Sequence, residues 1–185
     1  DIEKNLNEKP EKTTESNEVL KKKIDSGDSK RVPMSRLRAV VASRLLESQI
    51  QTASLTTFNE VDLFEVKKLR EKYKDSFEEK YGVKLGFMGL FLKASSIALQ
   101  EMPIVNASIE GTDIVYHGFQ DIGVAVSSDR GLVVPVIRDV NNMSIAEIEN
   151  SIKTFSSKAR DGKLSIEDMT GGTFTVSNGG VFGSL

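Results

Sequence analysis

Few residues in this sequence could carry chemistry. Cysteine is absent and His117 is the one histidine among 185 residues. Thiolate nucleophiles, disulfides and thiolate metal sites are therefore excluded, no metal-ligand spacing is present, and no metal is expected. A lone histidine is the default candidate for a general base. His117, however, falls near the end of a predicted strand, before Gly118, with no triad-like Ser, Asp or Glu nearby in sequence, and reads as a structural residue satisfied by backbone or solvent. Asp129 and Arg130 read as turn residues at a hairpin tip. Lys67, Lys68, Arg70 and Lys72 form a basic run, but Glu65, Glu71, Glu78 and Glu79 interleave with it, which describes a solvated helix face rather than a polyanion site. Gly179, Gly180 and Gly183 suggest a phosphate loop only superficially, since a dinucleotide fingerprint needs a βαβ unit and a downstream acid. The unusual stretch is Gly171 to Leu185, where Thr173, Thr175 and Ser177 alternate and then meet glycines that allow close approach of another backbone or a ligand. On pattern alone it is an ordinary polar strand running into a turn, with a site as the alternative.

The elements that must position these residues follow from periodicity. Residues 1–30 are about half charged and carry no sustained apolar stripe, which describes a flexible interdomain linker. The folded part begins at Arg31-Val-Pro-Met-Ser-Arg, where Pro33 and Ser35 supply helix-start chemistry and Leu37, Val40, Val41, Arg44 and Leu45 follow at helical spacing to about Gln51. Ser54–Val61 alternates and suits a strand. Asp62 to Glu65 has capping-box spacing, and Val66, Leu69, Tyr73 and Phe77 mark a second amphipathic helix ended by Gly82. Phe87 to Met102 is apolar nearly all round, so it predicts a helix buried on more than one side and stopped at Pro103. Two hairpins follow, one turning at Glu110–Asp113 and one at 127–131. Ser144-Ile-Ala-Glu147 is a capping box heading the stripe Ile145, Ile148, Ile152, Phe155 and Ala159. Ser165 to Met169 is a short helical turn, and Thr173 to Ser177 is a last strand. The fold class is α/β, more strictly α+β, with helices packed on a mixed β-sheet.

Composition bounds the rest. With 38% hydrophobic and 28% charged residues and a net charge of −2, the chain has one ordinary core and no field that would gather nucleic acid or a membrane surface. Neither partner is expected. The N-terminal residues read neither as a secretory signal nor as a transit peptide. A bacterial cytoplasm is the expected compartment, or the mitochondrial matrix for a eukaryotic source.

Five blocks, in order, resemble the acyltransferase component of 2-oxo acid dehydrogenase complexes. They are Arg31-Val-Pro-Met-Ser-Arg-Leu-Arg with Ala42-Ser-Arg-Leu-Leu46, then Thr56-Thr-Phe-Asn-Glu-Val-Asp62, Gly123-Val-Ala-Val-Ser127, Gly131-Leu-Val-Val-Pro-Val-Ile-Arg138, and Phe174 to Leu185. Thr57-Phe-Asn-Glu-Val-Asp and Asn178-Gly-Gly-Val-Phe-Gly-Ser are most similar to the succinyltransferase branch. The resemblance implies a chloramphenicol-acetyltransferase-like fold and a homotrimer assembling into a larger core. It further implies partnership with the 2-oxo acid dehydrogenase and dihydrolipoamide dehydrogenase components, and a lipoyl group on a separate domain beyond the tether. The implied reaction moves a succinyl group between dihydrolipoyl-lysine and coenzyme A, with acetyl or branched-chain groups, or a non-catalytic scaffold role, as alternatives.

Ser177 matches the family's hydroxyl that donates a hydrogen bond to the oxyanion, and Asn178 and Gly179 fall where coenzyme A would be held. The family's catalytic histidine stands in a downstream Asp-His-Arg-x-x-Asp-Gly motif that does not occur in these 185 residues. Residues 31–185 are accordingly expected to be the N-terminal two thirds of the catalytic domain, incomplete at the C-terminus. Residues 1–185 alone are expected to lack transferase activity and to leave apolar surface uncovered.

Overall fold

The computed structural model describes residues 31–128 and 131–180. The linker expected over 1–30, the hairpin tip at Asp129 and Arg130, and Gly183 lie outside the described residues. The chain divides into two compact units at Glu60 and Val61, each taken by itself below.

In the first unit, helix α1 spans Arg36–Gln51, and the Ser35 hydroxyl accepts the Arg38 N–H at its start. Ser35 thus supplies one of the acceptors that a helix N-terminus lacks. The apolar positions that predict this helix stay open, with Val40, Val41, Leu45, Leu46 and Ile50 all exposed. Ser54–Val61 is not the expected strand: no element forms there and every residue from Thr52 to Val61 is exposed. A strand exists only when a neighbour takes up its N–H and C=O groups, and among the described residues none does.

The second unit opens with α2, Phe64–Tyr81, closed by Gly82 in the left-handed region. The capping box expected at Asp62–Glu65 is absent. Leu63 is the cap residue and makes no side-chain bond, while the Asp62 carboxylate accepts the Phe64 N–H at 2.8 Å. The helix starts one residue later than the box requires, so the carboxylate reaches N1 instead of N3.

Helix α3 covers Phe87–Glu101 and α4 covers Ile145–Asp161. α4 has the expected reciprocal Ser144–Glu147 box. Its stripe buries Ile148 and Ala159, with Ile152 and Phe155 packed beside them. α3 differs from expectation. It buries only the stripe Gly89, Leu92, Ser96 and Leu99, while Phe91 and Ile97 are 37% and 48% exposed. Its inner face meets α4 and the short 3-10 turn Val140–Asn142, and no described element covers the opposite face.

Between these helices lie β1 (Ala107–Glu110) and β2 (Asp113–Tyr116), an antiparallel hairpin turning at Gly111 in the left-handed region. Next come β3 (Ile122–Val124), β4 (Val126–Ser128), β5 (Gly131–Val133) and β6 (Val136–Ile137). The single hairpin expected over 122–137 is divided. β4 pairs with β5 and β3 with β6 at the same offset, as in Val126 with Val133 and Ile122 with Ile137. Pro135 explains the division: its carbonyl accepts the Val124 N–H at 2.9 Å, but proline has no N–H to return. The Ala125 N–H then turns to Val176 on β7 (Phe174–Val176), which runs parallel to β3. The three-stranded sheet β6-β3-β7 is therefore mixed, as expected. Ile122, Val124 and Ile137 join Leu92, Val140 and Ile148 in the core. Full burial of each such side chain is worth about 1.5–3 kcal/mol.

One buried acid locks the two central helices together. α3 begins at Gly86 with no cap of its own, and the Glu149 carboxylate of α4 accepts the Gly89 N–H at 2.7 Å. A Cβ on Gly86 or Gly89 would stand 2.7 or 2.6 Å from Glu149 Oε1, so both glycines are required for this approach. Lys93 adds a second tie, donating to the Asn141 and Met143 carbonyls at 2.9 and 2.8 Å. Burial raises the Glu149 pKa, against the lowering by the Gly89 and Gly86 N–H groups and by Arg70.

Two outcomes follow for stability. Glu149→Ala removes the cap and lowers unfolding free energy by about 1–2 kcal/mol in chemical denaturation, and an unchanged midpoint would contradict the capping role. Because the folded pKa is raised, the contribution of this carboxyl is fully present below its unfolded pKa and is lost as pH rises through the folded value. Glu149→Gln keeps an acceptor without titrating, so its stability relative to the parent should improve from about pH 4 to about pH 7. A difference constant across that range would sink this assignment.

Candidate active site

Ser177 follows β7 directly and is exposed, and among the described residues its hydroxyl has no hydrogen-bond partner. A hydroxyl at a strand end with its donor uncommitted can meet an incoming acyl oxygen without first breaking a bond. The strand before it is fixed by alternation: Phe174 and Val176 pack against the core while Thr175 faces outward. Parallel pairing sets Thr175 opposite Gly123 and Val176 opposite Val124. A side chain at Gly123 would stand 3.0 Å from Val134 Cγ1 and 3.2 Å from Thr175 Oγ1, so the glycine allows β7 to lie close.

Beyond Ser177, the Asn178 side-chain oxygen accepts the Gly180 N–H at 3.0 Å. Asn178 is exposed and Gly179 half-buried. This turns the chain sharply after the hydroxyl and leaves the Asn178 amide NH2 available to a ligand. At the break between β3 and β4, a cavity of about 290 Å³ is lined by Met88, Val124, Ala125, Val126 and Ile152 among others. That volume is at the small end for a ligand pocket.

His117 is placed as a structural residue, as its sequence setting implies. Its Nε2 lies 3.1 Å from Ser108 Oγ across the β1–β2 hairpin, and its ring packs on Phe119. Its backbone N–H donates to the Asn106 carbonyl, while Asn106 Nδ2 donates to the His117 and Phe119 carbonyls. The structure therefore engages it in the hairpin rather than with Ser177. The basic run on α2 is a solvated face: Lys68 pairs with Glu65 and Lys74 with Glu71. Arg70 is the exception, since its Nε also donates to the Leu85 carbonyl at 2.8 Å. Among the described residues no group of three or more His, Asp or Glu could hold a metal ion, and no helix is long and apolar enough to cross a membrane.

Two residues that sequence reasoning did not single out anchor the start of β7, the strand that leads to Ser177. Asp121 precedes β3 and Arg138 follows β6, and they form an ion pair at 2.8 Å. The signal was present: the hairpin offset that pairs Ile122 with Ile137 brings an acid and a base opposite each other one step further out.

Comparison with known proteins accords with this arrangement. The pattern of the 2-oxoacid dehydrogenases acyltransferase (catalytic domain) family matches residues 26–185. The dihydrolipoyllysine-residue succinyltransferase component of the 2-oxoglutarate dehydrogenase complex of Pseudomonas aeruginosa is 68% identical over 157 residues, covering 84% of this chain and 38% of that protein. The chain thus spans well under half the length of that relative. Among solved structures, the Azotobacter vinelandii dihydrolipoamide acetyltransferase is similar at 34% identity and a TM-score of 0.80, covering 88% of this chain and 67% of that one. It was solved in a study of one serine, one histidine and one asparagine in its catalytic mechanism. The cubic core of a pyruvate dehydrogenase multienzyme complex is similar to the same degree, at 34% identity, a TM-score of 0.80, and coverage of 88% and 67%. With its family pattern continuous from residue 26 onward and its fold shared with these acyltransferase cores, the chain belongs to the 2-oxoacid dehydrogenase acyltransferases.

Proposed function

We propose that the protein containing this chain transfers a succinyl group between dihydrolipoyl-lysine and coenzyme A, with Ser177 donating the hydrogen bond that stabilises the oxyanion. The observation that carries the acyl choice is the 68% identity to a succinyltransferase component, twice that to the acetyltransferase structure. The uncommitted, exposed Ser177 hydroxyl at the end of β7 supports its role. In the reaction the thioester carbonyl moves from the lipoyl sulfur to the coenzyme A sulfur, and the thiol proton ends on the released dihydrolipoyl group. Coenzyme A supplies the attacking thiol, and Asn178 and Gly179 help to hold it. A neutral donor placed where charge develops is little engaged in the ground state and strongly engaged in the transition state. The resemblance assigns the general base to a histidine in an Asp-His-Arg-x-x-Asp-Gly motif that residues 1–185 do not contain, and His117, engaged in the β1–β2 hairpin, does not match it.

The assembly is a homotrimer built into a larger core that serves the 2-oxo acid dehydrogenase and dihydrolipoamide dehydrogenase components. The apolar faces left open on α1 and α3 support this reading, as does the likeness to a cubic core. Residues 1–30 then act as the tether to a lipoyl-bearing domain, which keeps the local concentration of the arm high. Bacterial cytoplasm is the compartment.

Two assays on the full-length protein test this reading. Thioester formation with dihydrolipoamide should favour succinyl-CoA over acetyl-CoA by about tenfold or more in kcat/KM, and equal use or an acetyl preference would overturn the acyl assignment. Ser177→Ala should lower kcat by roughly a hundredfold, equivalent to about 3 kcal/mol, while leaving KM for coenzyme A within about twofold. An unaltered kcat would remove Ser177 from the mechanism.

A further inference from the structure

We infer that Asp121 and Arg138 form a clamp that positions Ser177 for the reaction. The inference rests on the role proposed for Ser177. Arg138 stands in the turn after β6 and spreads its guanidinium over four acceptors from two segments. Nη1 donates to Asp121 Oδ2 at 2.8 Å and to the Gly171 carbonyl at 3.2 Å. Nη2 donates to the Glu167 and Thr170 carbonyls. Three of these acceptors belong to the segment that leads into β7. Only a planar fork with several donors can collect them together, and a lysine cannot.

Asp121 completes the clamp from the other side. Its second oxygen, Oδ1, accepts the Asp139 N–H at 2.9 Å, which holds Asp139 in the left-handed conformation at φ 50. That conformation is unfavourable for a residue other than glycine and persists only where its surroundings impose it. The Asp121 carbonyl accepts the Thr173 N–H at 2.8 Å and the Phe174 N–H at 3.4 Å. One residue at the head of β3 therefore fixes the turn after β6 and the first residue of β7.

The path is closely packed. A Cβ on Gly171 would stand 3.1 Å from Arg138 Nη1, and one on Gly172 would stand 3.2 Å from Val136 Cγ2. From Phe174 onward β7 is in register with β3, ending with the Val176 carbonyl on the Ala125 N–H at 3.2 Å. Ser177 is the next residue. A shift of the Glu167–Gly171 segment would pass along three strand residues to its hydroxyl. Neither Asp121 nor Arg138 needs to touch substrate, and both are positioning residues.

The test uses the full-length, assembled protein. Steady-state kinetics of Arg138→Gln, Ser177→Ala and the double variant should show three things. Arg138→Gln alone lowers kcat by about tenfold to a hundredfold with KM for coenzyme A near the parent value, since small misplacement of an aligned group costs that much. On the Ser177→Ala background the same substitution costs less than about twofold, because the group it positions is already gone. Arg138→Lys, which keeps the cation facing Asp121 but not the fork, falls between, and carries the same two-background comparison if Arg138→Gln does not assemble. An equal proportional loss on both backgrounds, or a raised KM with kcat intact, overturns the clamp while leaving Ser177 in place. A silent Ser177→Ala instead removes the Ser177 reading, and the clamp's purpose with it.

Discussion

Asp121 holds the sheet together at the point where its strands are least constrained by sequence neighbours. β7 arrives from a distant part of the chain, and the sheet it builds with β3 and β6 is short, with two residues on β6 and three on each of the others. So few ladder bonds cannot by themselves fix the parallel strand β7, whose partner lies about fifty residues earlier. The nearly buried Asp121 side chain, 11% exposed, contributes charge-assisted bonds on one side, and its carbonyl contributes backbone bonds on the other. The carbonyl's bonds to the Thr173 and Phe174 N–H groups are worth about 0.5–1.5 kcal/mol each and set where β7 begins against β3.

The helical layer is secured separately, by a buried carboxylate. Glu149 caps α3 from α4 and Lys93 ties α3 to the Asn141 and Met143 carbonyls. The helices can then present Leu92, Leu99 and Ile148 to the sheet as one surface. The chain thus divides its labour. Apolar burial supplies the bulk of the stabilisation without direction, and two carboxylates supply direction at the sheet and at the helix pair. The apolar residues left open on α1 and α3 belong to neither task, which fits a domain whose remaining surface is completed in an assembly.

Periodicity made most elements legible. α1 ends at Gln51 and α4 begins behind its capping box as the spacing of Ser35, Ser144 and Glu147 implies, because caps and stripes are local. The first hairpin is likewise written in Glu110-Gly-Thr-Asp113. What sequence did not disclose depends on partners. Ser54–Val61 alternates like a strand but has no neighbour. The division at Pro135 depends on which strand the Ala125 N–H meets, and the open face of α3 depends on packing partners that no described element supplies. At the site, the Ser177 strand was legible as alternation, whereas the role proposed for Ser177 came from the family resemblance. The Asp121–Arg138 pair needed the hairpin offset carried one residue past the apolar run, where the pattern of hydrophobic residues stops giving information.

The most direct measurement is a crystal structure of the full-length catalytic core bound to a mimic of the tetrahedral acyl-transfer intermediate. The account predicts that Ser177 Oγ lies at hydrogen-bond distance, roughly 3 Å, from the oxygen that stands for the oxyanion, with β7 still anchored to Asp121. An oxyanion held by other groups, with Ser177 turned away from it, would contradict the account at its centre.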